Sequence, residues 1–324
     1  MSKKLTNKHG LPRPIADALS RDTYEAAGDI SVTELISPPQ MAVLEWMHAD
    51  EIESDVIDRV FSMLGTSVHA MIDNAVESNG NDSALPWKKQ KSNYRHEERL
   101  VYDLDGTKVS GKFDLWDVEW KELWDFKVTS LWNATRPTHD EWTAQLNCYA
   151  WLIRMCTGER IQKAKILAIM RNWSSMSAKF KKDDGYPEHP IRVIPIKIWS
   201  DAEQDEYVRE RVRLHGDAWA IYGIHRQMND ANHLPPCTDA ERWFSGHRHA
   251  LIKYGAKRAT KVFDTAEEAE VHAAEKGLEI GHGKGLYQLE SRPGDFKRCD
   301  EYCTVSRWCR QHNLGLDLIP PSEK

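Results

Sequence analysis

No stretch of the 324-residue sequence approaches the length of an apolar membrane span. The opening MSKKLTNKHG is basic, but no apolar h-region follows it, so no signal peptide is expected. An excess of positive charge is also missing. Lys and Arg number 44 against 50 Asp and Glu, for a formal net charge of −6. This excludes a chain that wraps a polyanion through bulk charge, so any contact with nucleic acid must be local or assisted by a bound cation. There is no internal repeat and no low-complexity tract. Without an export signal, the six cysteines are expected to be reduced or metal-bound thiols, not a disulfide framework. What remains is globular in composition, 40% hydrophobic and 29% charged with 13 Trp. The length suits two domains, or one large domain with appendages.

Periodicity gives the organisation. Residues 1–30 form a polar segment with a short helix near PIADALSRDTYEAAG, and ISVTELISPP reads as a brief extended piece. From about Gln40 to Ser78, Val56, Ile57, Val60, Phe61, Leu64, Val68, Met71 and Ile72 recur at helical spacing. RLVYDL and TKVSGKFDLWDVEW, separated by Asp105-Gly106, read as a hairpin, with KELWDFKVT as a third strand. Residues 138–157 read as a helix closed by Gly158, AKILAIM and IRVIPIKIW as strands, and 201–230 as a long helix. After residue 232 the character changes to strand, strand, helix, strand, with Thr265 and Glu268 expected to form a capping box.

One strand, ELWDFKVTS at 122–130, carries Asp125 and Lys127 on the same face, because side chains alternate. Asp114, in GKFDLWD on the preceding strand, can face the same side. Two carboxylates on one face repel unless positive charge lies between them. Lys127 supplies part of that charge, and a hard divalent cation with open positions for water and phosphate would supply the rest. His69 in LGTSVHAMID could offer an imidazole from a helix, while Gln145 and Tyr149, four apart, share a helix face. Each residue alone has an ordinary structural reading. Their order and spacing carry the weight.

This order resembles the RecB-like branch of the PD-(D/E)xK nuclease superfamily over roughly residues 31–200. GTSVHAMID is similar to its first motif, GKFDLWD to the second, DFK to the third and QLNCY to the Q-x-x-x-Y motif. Phe113 stands where the superfamily's proline would precede Asp114. The resemblance implies an α/β fold: a restriction-endonuclease-like core of a mixed central sheet flanked by helices over 31–232. A small C-terminal metal-binding α+β appendage would occupy 233–324. It implies that His69, Asp114, Asp125 and the Phe126 backbone carbonyl hold Mg²⁺ or Mn²⁺. Lys127 would be the catalytic lysine, and Gln145 and Tyr149 would position DNA. The implied activity is metal-dependent DNA exonuclease in phage-type recombination or processing. An endonuclease on the same core, or a silent nucleic-acid-binding module, stays open. The expected substrate is linear DNA with a free end. The setting is cytoplasmic (the host's, if the chain is phage-encoded), with no membrane, and a single-strand annealing or recombination protein stays open as a partner.

RCDEYCTVSRWC places Cys299, Cys303 and Cys309 close together, which suggests a metal site with Cys237 as fourth ligand. Cys148 and Cys156 are expected to be buried apolar thiols. The C-terminal cluster is similar to that of iron–sulfur nucleases of the AddB and CRISPR-adaptation types, which implies a 4Fe–4S cluster. Those proteins usually show C-x₂-C-x₅-C with the fourth cysteine before the core, and both features differ here. Zn²⁺, with His312 as a further ligand, stays open. WKKQKSNYRHEER and MRNWSSMSAKFKKDD are the local basic stretches with an aromatic, of a kind that suits single-stranded nucleic acid.

Overall fold

Proline and aspartate set the boundaries of the first elements in the computed structural model, which describes residues 4–21, 27–77, 93–180, 185–225 and 233–314. Strand β1 (Lys4–Thr6) precedes helix α1 (Arg13–Ser20), which has a proline in its first turn, where a missing N–H costs nothing. Strand β2 (Ile30–Ser31) runs directly into helix α2 (Val32–Leu35), because the Ser31 side chain accepts the Glu34 N–H as an N-cap. The expected extended piece is thus extended only at its start. Helix α3 (Pro39–Met47) again begins at a proline.

The single helix expected from 40 to 78 is interrupted by strand β3 (Glu53–Asp55), which pairs in parallel with β1. The Asp55 carboxylate accepts from Thr6 and from the Lys8 and Ile57 N–H groups. These bonds hold the chain out of the helix until α4 (Val60–Glu77). No residue of α4 is buried, and Phe61, Leu64 and Met71 are exposed, so its apolar periodicity does not mark a core face.

Asp105 and Gly106, both at positive φ, make the tight turn between β4 (Tyr94–Leu104) and β5 (Thr107–Asp117). Strand β4 begins five residues before RLVYDL. Strand β6 (Glu122–Thr129) is antiparallel to β5, and helix α5 (Leu131–Thr135) follows it. Helix α6 (Asp140–Thr157), closed by left-handed Gly158, is the crossover to β7 (Lys163–Met170), which lies parallel to β6. After α7 (Ser175–Phe180), β8 (Ile191–Ile196) pairs antiparallel with β7, and α8 (Asp201–His225) follows. The result is a six-stranded mixed sheet, β2-β5-β6-β7-β8 with β4 on the other edge of β5, flanked by helices. Leu146, Trp151, Leu152 and Ile153 of α6 pack against Phe113, Trp116, Leu123 and Ile166 of the sheet to form the core. Cys148 is buried, but Cys156 is exposed at the last turn of α6, contrary to expectation. No helix among the described residues is long and apolar enough to cross a membrane.

The contacts divide the chain into Met1–Ile224 and His225–Lys324. In the second unit, β9 (Arg248–Lys253) lies between β10 (Lys261–Phe263) and β11 (Tyr287–Arg292), all antiparallel, with α9 (Ala266–Glu275) against them. Leu251, Phe263, Ala269 and Ala273 form its small core. Thr265 accepts the Glu268 N–H as expected, but Glu268 reaches back to the Asp264 N–H, one residue before a true capping box. Helix α10 (Arg310–Asn313) is the last element among its described residues.

The uneven pairing of β6 opens the sheet on one side. Strand β6 pairs with β7 along all eight residues, but with β5 only at Leu115–Trp124, Trp116–Leu123 and Asp117–Glu122. The same edge of β5 is taken by β2 at Val109 and Ser110. Between these contacts β5 and β6 part. Gly111 lies on β5 in this interval. A Cβ there would meet Leu152 Cδ1 at 2.7 Å, and Tyr149 Cε1 and Val32 Cγ2 at 2.9 Å. Gly111→Ala is therefore expected to cost about 1–3 kcal/mol of stability by overpacking. Thermal unfolding reads this as a Tm lowered by roughly 2–4 °C per kcal/mol. An unchanged Tm would show that α6 does not press on the strand there.

Candidate active site

The opening between β5 and β6 exposes the edge of β6 at Phe126, whose backbone groups find unusual partners. The Phe126 N–H donates to Asp114 Oδ2 at 2.6 Å, in place of a neighbouring strand's carbonyl. Its carbonyl oxygen lies 3.2 Å from His69 Nε2, delivered from α4, and the two rings meet edge to face. His69 Nδ1 is 3.0 Å from Glu97 Oε1 and 3.6 Å from Asp114 Oδ1. One ligand atom from each of His69, Glu97 and Asp114 can be chosen so that all lie within 4.8 Å of one another. The structure thus brings His69, Asp114 and the Phe126 carbonyl to one place.

Glu97 is the residue that sequence reasoning missed, having been read as part of the basic stretch WKKQKSNYRHEER. Residues 87–92 of that stretch lie outside the described residues, and Tyr94 to Arg99 belong to β4. The signal was present in the turn. A two-residue turn at Asp105-Gly106 sets the register of β4 on β5, with His96 opposite Leu115 and Glu98 opposite Phe113. Glu97 therefore falls opposite Asp114. Its φ of 46°, rare for a residue with a side chain, marks local strain at this point of the sheet. Lys112 forms an ion pair with its second oxygen.

On β6, Lys127 Nζ sits 2.8 Å from Asp125 Oδ2 and donates to Gln145 Oε1 at 2.9 Å. Gln145 Nε2 donates in turn to the Tyr149 hydroxyl at 3.2 Å. Asp125 is only 2% exposed, and its buried Oδ2 is met by the Lys127 ammonium. Of the expected residues, Asp125, Lys127, Gln145 and Tyr149 form one chain, and His69, Asp114 and Phe126 another. Asp125 is not one of the close three-ligand group, although its charge acts on Asp114.

The electrostatics follow from crowding. Burial, and then the Asp125 charge, push the Asp114 carboxyl up to about 7. The hydrogen bond to Glu97, aided by Asp114 and opposed by burial, lifts His69 to about 9. Burial acts to raise Glu97, but the hydrogen bonds from His69 and Lys112 outweigh it and hold it below its ordinary range. Burial likewise acts to lower Lys127, yet the Asp125 charge and hydrogen bond keep it above its ordinary value, so it stays an ammonium. Burial raises the Tyr149 hydroxyl well above its usual range. This donor set of carboxylates, imidazole and a backbone carbonyl fits a divalent cation. A second cluster, Asp73, Glu77 and His96, lies between α4 and β4, with an ion pair between Asp73 and His96.

In the second unit the four cysteines Cys237, Cys299, Cys303 and Cys309 face one another. Burial, then Glu241 and the other three sulfurs, push Cys237 up to about 12, and burial raises Cys303 and Cys309 as well. Among the described residues, no three of these sulfurs lie within 4.8 Å of one another. Gln311, unremarked in the sequence, closes the set. Its amide accepts the Cys237 N–H and donates to the Cys237 carbonyl, both at 2.9 Å. Arg242, 2% exposed, points Nε at Cys299 Sγ from 3.4 Å.

No family model matches the chain, and no curated protein matches it significantly. Among solved structures, SSO0001 is similar at a TM-score of 0.39 and 16% identity, over 62% of this chain and 81% of that one. A phage-related exonuclease from Haemophilus somnus 129PT is similar at a TM-score of 0.34 and 17% identity, over 59% and 92%.

The pKa shifts set a sign for stability. Asp114 and His69 are both raised, so the folded protein binds more protons than the unfolded chain from about pH 4 to about 7 for Asp114, and from about 6.5 to about 9 for His69. Without metal, each therefore makes stability fall as pH rises through its window. Asp114→Asn is expected to gain on the wild type between pH 4 and 7, by at most about 1.4 kcal/mol per pH unit. Denaturant unfolding in chelator measures it, and parallel curves for the two proteins would refute the assignment.

Proposed function

We propose that the chain is a metal-dependent DNA exonuclease with a PD-(D/E)xK-type site at the parting of β5 and β6. One observation carries the reading. The Asp114–Glu97–His69 group and the Phe126 carbonyl converge beside a buried carboxylate paired with a lysine that stays charged. Asp114, Glu97, His69, the Phe126 carbonyl and Asp125 would hold Mg²⁺ or Mn²⁺. Such an ion polarises a scissile phosphate and lowers the pKa of water.

The protein's own residues supply the remainder. Lys127 is a cation, so it is not a general base. It orients the attacking oxygen and offsets the negative charge that builds on the phosphate. Asp125 and Gln145 fix its position from two sides, and Tyr149 fixes Gln145. His69 and Asp114 must give up their protons when a cation is bound, so ion affinity rises with pH. The acidic balance of the chain disfavours loose wrapping along duplex DNA and favours entry of a strand end.

In the second unit, the four thiols would hold a 4Fe–4S cluster. The Arg242 guanidinium offsets thiolate charge at Cys299.

With Mg²⁺ or Mn²⁺, the purified protein is expected to degrade end-labelled linear DNA and to spare covalently closed circles. Lys127→Ala should slow hydrolysis roughly 10²- to 10³-fold. Glu97→Gln should slow it too, although no motif pointed to that residue. Wild-type turnover by Lys127→Ala would sink the site, and equal cutting of closed circles would move the reading to an endonuclease.

Protein purified without oxygen is expected to be brown from iron and acid-labile sulfide bound by Cys237, Cys299, Cys303 and Cys309. A colourless protein with one zinc per chain would replace the cluster with zinc. Folded protein with neither metal would refute both.

A further inference from the structure

The stripe of α6 that carries Gln145 and Tyr149 continues toward its N-terminus. Trp142 precedes Gln145 by three residues and Tyr149 by seven, so all three share a face. His139, the N-cap residue, lies flat on the Trp142 ring, with centroids 4.4 Å apart and planes 6° from parallel. The Arg136 guanidinium carbon is 5.9 Å from both the Trp142 and the Trp132 ring. Trp132, on α5, is 59% exposed.

Two further observations mark this patch as a place for a ligand. Arg136 Nε and His139 Nδ1 are buried, and neither has a hydrogen-bond partner. Burial, then Arg136 and Arg192 against an opposing pull from Asp140, hold His139 below its ordinary value, so two guanidinium groups act on this patch in a chain that is acidic overall. A second cation–aromatic pair, Arg171 at 3.8 Å over Phe61, adjoins it, with the Arg171 N–H donating to the carbonyl of Thr129 at the end of β6. Thr129 and Trp132 lie only two and five residues beyond Lys127.

We infer that Trp132 and Arg136 seat one unpaired nucleotide of single-stranded DNA beside the reacting centre, Trp132 stacking on the base and Arg136 binding its phosphate. This rests on the nuclease reading and names the substrate form it takes. An exposed indole offers a flat face to any base, but a paired base keeps its faces inside the duplex stack. A guanidinium within 5.9 Å of two indole rings carries its donors in the fixed fork that matches a phosphate. The stripe through Trp142 to Gln145 links this seat with the Lys127 ammonium.

Binding by the full-length protein separates this from the nuclease reading, because it needs no turnover. Fluorescein-labelled single-stranded DNA and a blunt duplex of the same sequence are titrated by anisotropy in Ca²⁺. Trp132→Ala is expected to weaken single-strand binding roughly 5- to 100-fold. Duplex binding should change by less than about twofold, since its bases cannot stack on Trp132. Arg136→Ala should reduce the slope of log K against log salt by about 0.7, as one lost phosphate contact on a single strand requires. Arg136→Lys should restore that slope, and Trp132→Phe should restore part of the affinity. Unchanged single-strand binding by Trp132→Ala, or equal losses on both DNA forms, overturns the inference while leaving any observed hydrolysis intact. Binding as expected without hydrolysis by the wild type overturns the nuclease reading alone.

Discussion

The hydrogen bond from the Phe126 N–H to the Asp114 carboxylate decides the architecture of the site. In a continuous ladder that N–H would be satisfied by a carbonyl of β5. Here a side chain takes the donor, β5 is free to stand away from β6 before Leu115, and the Phe126 carbonyl is left facing an opening instead of a strand. A buried backbone group without a partner costs free energy comparable to a lost hydrogen bond. The opening is therefore tolerable only because Asp114 and His69 meet both Phe126 groups. Gly111 completes the arrangement, since its missing side chain lets α6 approach close enough to bring Tyr149 and Gln145 over β6.

Within this opening charged groups are crowded together and partly buried. Asp114, Asp125 and Glu97 face one lysine inside the cavity, one at its rim and one histidine. The molecule answers by keeping protons, on Asp114 because of burial and Asp125, and on His69 because of Glu97. This is the ordinary response of buried ionisable groups to desolvation and close neighbouring charges. The same groups are those a hard cation would deprotonate, so their raised proton affinity and the proposed chemistry have one origin.

The second unit works differently. Its small core of Leu251, Phe263, Ala269 and Ala273 is joined after β11 by the Phe244–Phe296 contact and the buried Val305. The two-way amide bridge from Gln311 to Cys237 spans 74 residues of sequence. It brings the isolated cysteine to the three clustered ones, and the buried Arg242 adds positive charge at Cys299.

Local chemistry was legible in the sequence. The Asp105-Gly106 turn, the strand alternation at Asp125 and Lys127, the Gln145/Tyr149 spacing and the Gly158 stop all act over a few residues, where backbone geometry and period leave little freedom. The helix expected through 48–59 failed because Asp55 binds Thr6 and Lys8, partners nearly fifty residues away. The apolar period of α4 misled because period reports one face of a helix, not what covers it. Glu97 stayed hidden in a run that read as basic until strand register set it against Asp114. Only the tertiary structure could part β5 from β6 and place His69, Glu97 and Phe126 together. Those contacts join α4, β4 and β6, and their geometry depends on which backbone groups the folded sheet leaves to side chains.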